Sequence, residues 1–242
     1  MKSHFNFLFI VLFLLISKSN PQKLETIKYT STPTKINTNN WTEMLNHKVE
    51  CESWGIMKNF IMKKNNTHFW YEYECYATKN YPQEDAILKN LRWHILDVTK
   101  RTYSNSITNF KDMTLNCFVD YGMSGFFLYT EEGYFRWKST CIRIKPSYVG
   151  SLDKTYKTTK SQTGNYKTID ALANILVGNT DEETETDIAY PLRGFKVNVD
   201  TSKSSSNPSV SFKYSYSKVR NMKIVKESFA KKFEELRKKN TN

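Results

Sequence analysis

The four cysteines are the residues of this chain with the most evident chemistry, and their spacing is regular. Cys51 and Cys75 stand 24 residues apart, and so do Cys117 and Cys141. No Cys-x-x-Cys pair occurs, so no zinc site is expected. An even number of cysteines in an exported chain reads as disulfides, and four allow three pairings. The second pair lies 66 residues beyond the first, and the two stretches align without a gap. Met57 then meets Met123, Phe60 meets Phe126, Phe69 meets Phe135 and Tyr71 meets Trp137. That agreement reads as an internal repeat. It selects the pairing Cys51–Cys75 and Cys117–Cys141.

The remaining chemistry is sparse. His47, His68 and His94 belong to no HExxH, and there is no GxSxG and no glycine-rich phosphate loop. Glu72 and Glu74 are two residues apart on one strand face. A glycosidase instead holds its carboxyls about 5–9 Å apart across a cleft. The acidic run Asp181–Asp187 offers carboxylates for calcium but lacks the EF-hand pattern. No catalytic residue, cofactor or metal is therefore expected, and the chain reads as a non-enzyme. Two sequons, Asn40-Trp41-Thr42 and Asn65-Asn66-Thr67, are candidate glycosylation sites. Trp70 is expected to face outward, which makes it a candidate ligand contact.

The elements that position these residues are legible from period. Phe69, Tyr71, Tyr73 and Cys75 alternate with His68, Trp70, Glu72 and Glu74. Phe135, Trp137, Ser139 and Cys141 alternate with Tyr134, Arg136, Lys138 and Thr140. Period two with one mainly apolar face is a half-buried strand. The turns before them, Asn65-Asn66-Thr67 and Glu131-Glu132-Gly133, are short and polar. Each unit is thus a hairpin closed by its own disulfide. A third unit without cysteines is expected over 169–220. There Leu192-Arg193-Gly194-Phe195-Lys196-Val197 resembles Met123-Ser124-Gly125-Phe126-Phe127-Leu128, and Phe212, Tyr214 and Tyr216 alternate with polar residues. Residues 150–168 read as a polar linker. Asp85 to Val98 reads as a strand or a short helix. Met222, Val225, Phe229, Phe233 and Leu236 recur at helical spacing, which predicts an amphipathic helix over 221–242. The expected fold is all-β, with two or three repeated antiparallel hairpin units in a sandwich or prism and a C-terminal helix. The two cysteine-bracketed repeats occupy 20–149.

Residues 1–19 read as a secretory signal: Lys2, an apolar run from Phe5 to Ile16, then Ser17-Lys18-Ser19. A run of that length is short of the roughly 20 residues that span a bilayer. The chain is expected to be secreted, extracellular or luminal, without a transmembrane segment. Its net charge is +12. From Lys213 onward ten Lys or Arg stand against three Glu. Lys223, Lys226, Lys231, Lys238 and Lys239 would face solvent on the predicted helix and attract a polyanion. Nucleic acid is disfavoured by the expected compartment.

A cysteine, an apolar strand, a turn and then aromatic-x-aromatic-x-Cys resembles the repeat of dermatopontin-type extracellular proteins. The residues carrying the resemblance are Cys51, Phe60, Tyr71, Tyr73 and Cys75, then Cys117, Phe126, Trp137 and Cys141. The Asp-Arg pair usual in that family has no counterpart at His68-Phe69-Trp70 or Tyr134-Phe135-Arg136, so no ligand site is carried over. Gly125-Phe126-Phe127-Leu128 and the three-unit count are similar to the three-sheet β-prism of the vitelline-membrane outer-layer type. Both resemblances imply matrix, adhesion or glycan-binding roles. The expected partner is an acidic polysaccharide or another extracellular protein.

Overall fold

The computed structural model describes residues 24–38, 41–45, 47–52, 55–78, 88–96, 101–102, 106–132, 134–144, 156–179 and 188–220. These residues form an all-β, antiparallel structure of three five-stranded sheets and one two-stranded ribbon. The predicted signal (1–19), Asn40 and the predicted helix over 221–242 lie outside the described residues.

The first sheet runs β1 (Leu24–Thr30), β5 (His68–Thr78), β4 (Ile56–Lys64) and β13 (Leu176–Gly178), with β2 (Thr34–Lys35) also on β5. The second runs β3 (Val49–Glu50), β9 (Tyr121–Glu131), β10 (Tyr134–Ile144) and β6 (Leu88–Leu96), with β7 (Arg101–Thr102) also on β10. The third runs β11 (Lys157–Thr158), β16 (Ser209–Tyr216), β15 (Leu192–Asp200) and β8 (Thr114–Asn116), with β12 (Gln162–Thr163) also on β16. The ribbon pairs β14 (Ile188–Ala189) with β17 (Val219–Arg220). Strands β11 and β12 fall inside the stretch that reads as a polar linker. Within the stretch from Asp85 to Val98, the described residues Leu88–Leu96 are strand, not helix.

Each sheet is centred on one hairpin, and its outer strand comes from elsewhere in the chain. Strand β3, which precedes the first hairpin, pairs with the second. Strand β8 precedes the second hairpin and pairs with the third. Strand β13 precedes the third and pairs with the first. The registers correspond: Val49 opposes Phe126, Leu115 opposes Phe195 and Val177 opposes Phe60. Each hairpin carries a register shift beside this point, between Met57 and Asn59, Thr140 and Cys141, and Leu192 and Gly194. The carbonyls of Lys58, Ser124 and Arg193 there accept from the amides of Asn179, Cys51 and Cys117, at 3.3, 2.8 and 2.9 Å.

Next to each crossing pair stands one glycine. Glu50 opposes Gly125, Asn116 opposes Gly194, and Gly178 opposes Asn59. A Cβ on Gly125 would lie 2.5 Å from the Val49 carbonyl oxygen, and one on Gly194 would lie 2.2 Å from that of Leu115. The backbones approach too closely for two side chains, so one member of each pair lacks a Cβ.

Alternation then decides what is buried. Phe60, Phe126 and Phe195 meet in the middle, with ring centroids 4.6, 5.3 and 5.4 Å apart. Around them stand Tyr71, Trp137 and Phe212, each touching the phenylalanine of its own hairpin and that of the next. Such tilted and edge-on ring pairs add to the transfer free energy of burying large rings. Trp41, Ile107 and Ile169, the first residues of three short 3-10 turns, are fully buried. Cys51 is bonded to Cys75 and Cys117 to Cys141, with Cα–Cα distances of 6.0 and 5.8 Å.

Candidate functional site

The core faces of the three hairpins are alike, and their solvent faces differ. On β5 the alternation that buries Phe69, Tyr71, Tyr73 and Cys75 turns His68, Trp70, Glu72 and Glu74 toward the outer face. Trp70 is half-buried, and its indole N–H donates to Glu72 Oε1 at 3.1 Å. Glu74 is held by Asn59 Nδ2 at 3.0 Å and lies 3.5 Å from both Lys28 and Lys58. Both carboxylates are thus engaged by their own sheet.

Beside Trp70 lies an open depression of about 410 Å3, lined by Thr30, Pro33, Asn65, His68 and Trp70. Asn65 is exposed at the hairpin tip. Its Oδ1 accepts from the Thr67 amide (2.8 Å), the Thr67 hydroxyl (3.1 Å) and the His68 amide (2.7 Å). This is an Asx-type turn, and it closes the hairpin. The other lining residues are Thr30, the last residue of β1, and Pro33, in the connection from β1 to β2. His47 holds that connection from beneath. Its Nε2 is 2.9 Å from Ser31 Oγ and its Nδ1 is 2.8 Å from Thr34 Oγ1. Its ring packs on Phe69 and Tyr71 at 5.0 and 5.2 Å. Burial pushes the imidazole below its ordinary pKa. Burial also pushes the Tyr71 phenol well above its ordinary range.

The second sheet presents rings under cations. Arg136 Nε donates to the Tyr129 hydroxyl at 2.8 Å, its guanidinium pairs with Glu131, and Lys138 Nζ sits 5.8 Å from the Phe127 ring centroid. The third sheet is basic. Lys196 on β15 stands directly opposite Lys213 on β16. Lys196 lies 2.8 Å from Asp112, and Lys213 Nζ sits 4.7 Å from the centroid of the exposed Tyr156 ring. Lys157 Nζ, exposed on the neighbouring strand, lies 5.5 Å from the Tyr216 ring centroid.

Charge is unevenly shared among the three sectors. Residues 24–78 hold six Lys against six Glu, and 106–144 hold four basic against four acidic residues. Residues 156–179 and 188–220 hold nine Lys or Arg against two Asp. The acidic run Asp181–Asp187 lies between these last two stretches, outside the described residues.

Of the residues singled out from sequence, the structure brings Asn65 and Trp70 to one depression and joins the cysteines in two pairs. Lys223, Lys226, Lys231, Lys238, Lys239 and Asn40 lie outside the described residues. His47, Thr30 and Pro33 carried no pattern that pointed to this site. Lys196 and Lys213 carried a readable signal, since both fall on polar positions of alternating strands. Among the described residues no group of three His, Cys, Asp or Glu side chains could hold a metal ion, and no helix is long and apolar enough to cross a membrane. No protein-family model, no curated protein and no solved structure matches this chain.

Proposed function

We propose that the chain is an exported, non-enzymatic binding protein whose third sheet engages an acidic extracellular polymer. The observation that carries this reading is the Lys196–Lys213 pair. Like charges placed directly opposite across an antiparallel pair destabilise a sheet. Asp112 offsets the charge on Lys196, and an anion laid along that face would add a partner for Lys213. The basic excess of the same sector and of the tail, with Lys223, Lys226, Lys231, Lys238 and Lys239, would extend the attraction. In this reading the three hairpins are copies of one unit, arranged as in the prism of the vitelline-membrane outer-layer type. The dermatopontin-like spacing supports the same extracellular role.

Retention on a sulfated-polysaccharide column at near-physiological salt tests the reading. The secreted chain is compared with Lys196→Gln/Lys213→Gln and with a variant in which the five tail lysines become Gln. Earlier elution of the sheet variant, with all differences shrinking as salt rises, is expected because salt screens exposed charges over about 8–10 Å. Equal elution of all three removes the sheet and the tail from the account.

A structural role in a coat is the second reading. Phe118 and Val119, 59% and 48% exposed, stand side by side at the tip after Cys117. Concentration-dependent sedimentation that is lost in Phe118→Ser/Val119→Ser would favour it.

A further inference from the structure

We infer that the depression beside Trp70 seats the chain's own carbohydrate, an N-linked glycan on Asn65. The geometry ties the acceptor to the seat, because Asn65 is itself one of the five residues that line the depression. Its Oδ1 is turned into the hairpin by three donors. That arrangement leaves the exposed amide nitrogen as the outward atom of the side chain.

The depression suits a sugar. A pyranose has an apolar face of C–H groups and a polar rim. An indole ring bounding an open depression, with hydroxyl and imidazole groups beside it, complements both. Trp70 is oriented by its bond to Glu72, and Pro33 and Thr30 line the same depression. The volume of about 410 Å3 falls within the range of small-ligand sites.

The attachment needs a lipid-linked oligosaccharide pyrophosphate as co-reactant. Asn65 Nδ2 bonds to the anomeric carbon, the bond from that carbon to the pyrophosphate oxygen breaks, the amide loses one proton and the lipid pyrophosphate departs. The first N-acetylated sugar then lies against Trp70. Trp70 thereby serves the chain's own sugar, and the half-exposed ring is covered without a protein partner. The inference shares with the function proposed above only entry into the secretory pathway.

The full chain is secreted from a eukaryotic host, and peptide mapping reads occupancy of Asn65. A glycan-releasing amidase is then applied to folded protein. Release from Trp70→Ala is expected to be roughly fivefold faster than from the parent chain, the size of effect one ring contact supplies. Denatured samples of both should be released at the same rate. Trp70→Leu, apolar but without a ring face, gives the same comparison should Trp70→Ala not be secreted. An unmodified Asn65, or equal release from the folded chains, overturns the inference. Column retention of Asn65→Gln, read on the same material, is expected to match the parent and keeps this outcome separate from the polyanion reading.

Discussion

The ring centroids of Phe60 and Phe126 stand 4.6 Å apart, one on β4 and one on β9, 66 residues apart in the chain. Phe195 closes the triangle from the third sheet at 5.3 and 5.4 Å. One side chain from each sheet therefore fills the point where the three apolar faces converge. Truncating any of them opens a cavity that no single sheet can collapse to fill.

Phe126→Ala is expected to cost about 3–5 kcal/mol, the range for removing a buried ring. Phe60→Ala should cost a similar amount, and the double variant should depart from additivity because the rings touch. Urea denaturation of the four proteins measures both effects.

Gly194 faces Asn116 across β15 and β8, and a Cβ there would stand 2.1 Å from Asn116 Oδ1 and 2.2 Å from the Leu115 carbonyl. The carbonyl belongs to backbone and cannot swing aside. Gly194→Ala should destabilise by about 1–3 kcal/mol through overpacking. Hydrogen exchange should locate the loss in Thr114–Asn116. An unchanged thermal midpoint would mean that β8 docks more loosely than its register implies.

His47 sits two residues before Val49, where the other two crossing segments bury Met113 and Ile175 before Leu115 and Val177. Its neighbours are the Ser31 and Thr34 hydroxyls and the Phe69 and Tyr71 rings. Burial lowers its folded pKa below 6.5. The unfolded chain then binds the proton more readily, so stability is full above the unfolded value and declines as pH falls through the folded one. The thermal midpoint should drop between pH 7.5 and 5, and His47→Met should flatten that slope. A parallel slope in the variant would assign the effect to other groups.

Each disulfide ties the second strand of one hairpin to the segment that crosses to the next sheet, Cys51 after β3 and Cys117 after β8, so reduction should loosen the docking of that segment. Replacing Cys51 and Cys75 by Ala is expected to cost about 2–5 kcal/mol, as for removal of other native bonds from exported domains. The Cys117–Cys141 bond should survive in that variant, as non-reducing peptide mapping would show.

Several features of this fold were legible in the sequence because they are local. The matching 24-residue spacings pointed to the pairing the disulfides adopt. The alternation of Phe69, Tyr71, Tyr73 and Cys75 identified the buried face of β5, since side-chain period in a strand is set by the backbone alone. Strand β16 was likewise readable from the alternation of Phe212, Tyr214 and Tyr216, which are buried. The exchange of β3, β8 and β13 between sheets was not, because a two- or three-residue strand carries no period. Its partner is chosen by which apolar face closes over which, and that is decided only when all three sheets meet. Pairing of β1 and β2 with β5 brought five residues from two segments into one surface, with His47 under its wall. The pairing of Lys196 with Lys213 rests on hairpin register, which turn length and bulge position decide together. Sequence by itself determined the long hairpin strands and their buried faces; tertiary structure decided the short strands and which elements are neighbours, because long-range packing has no local signature.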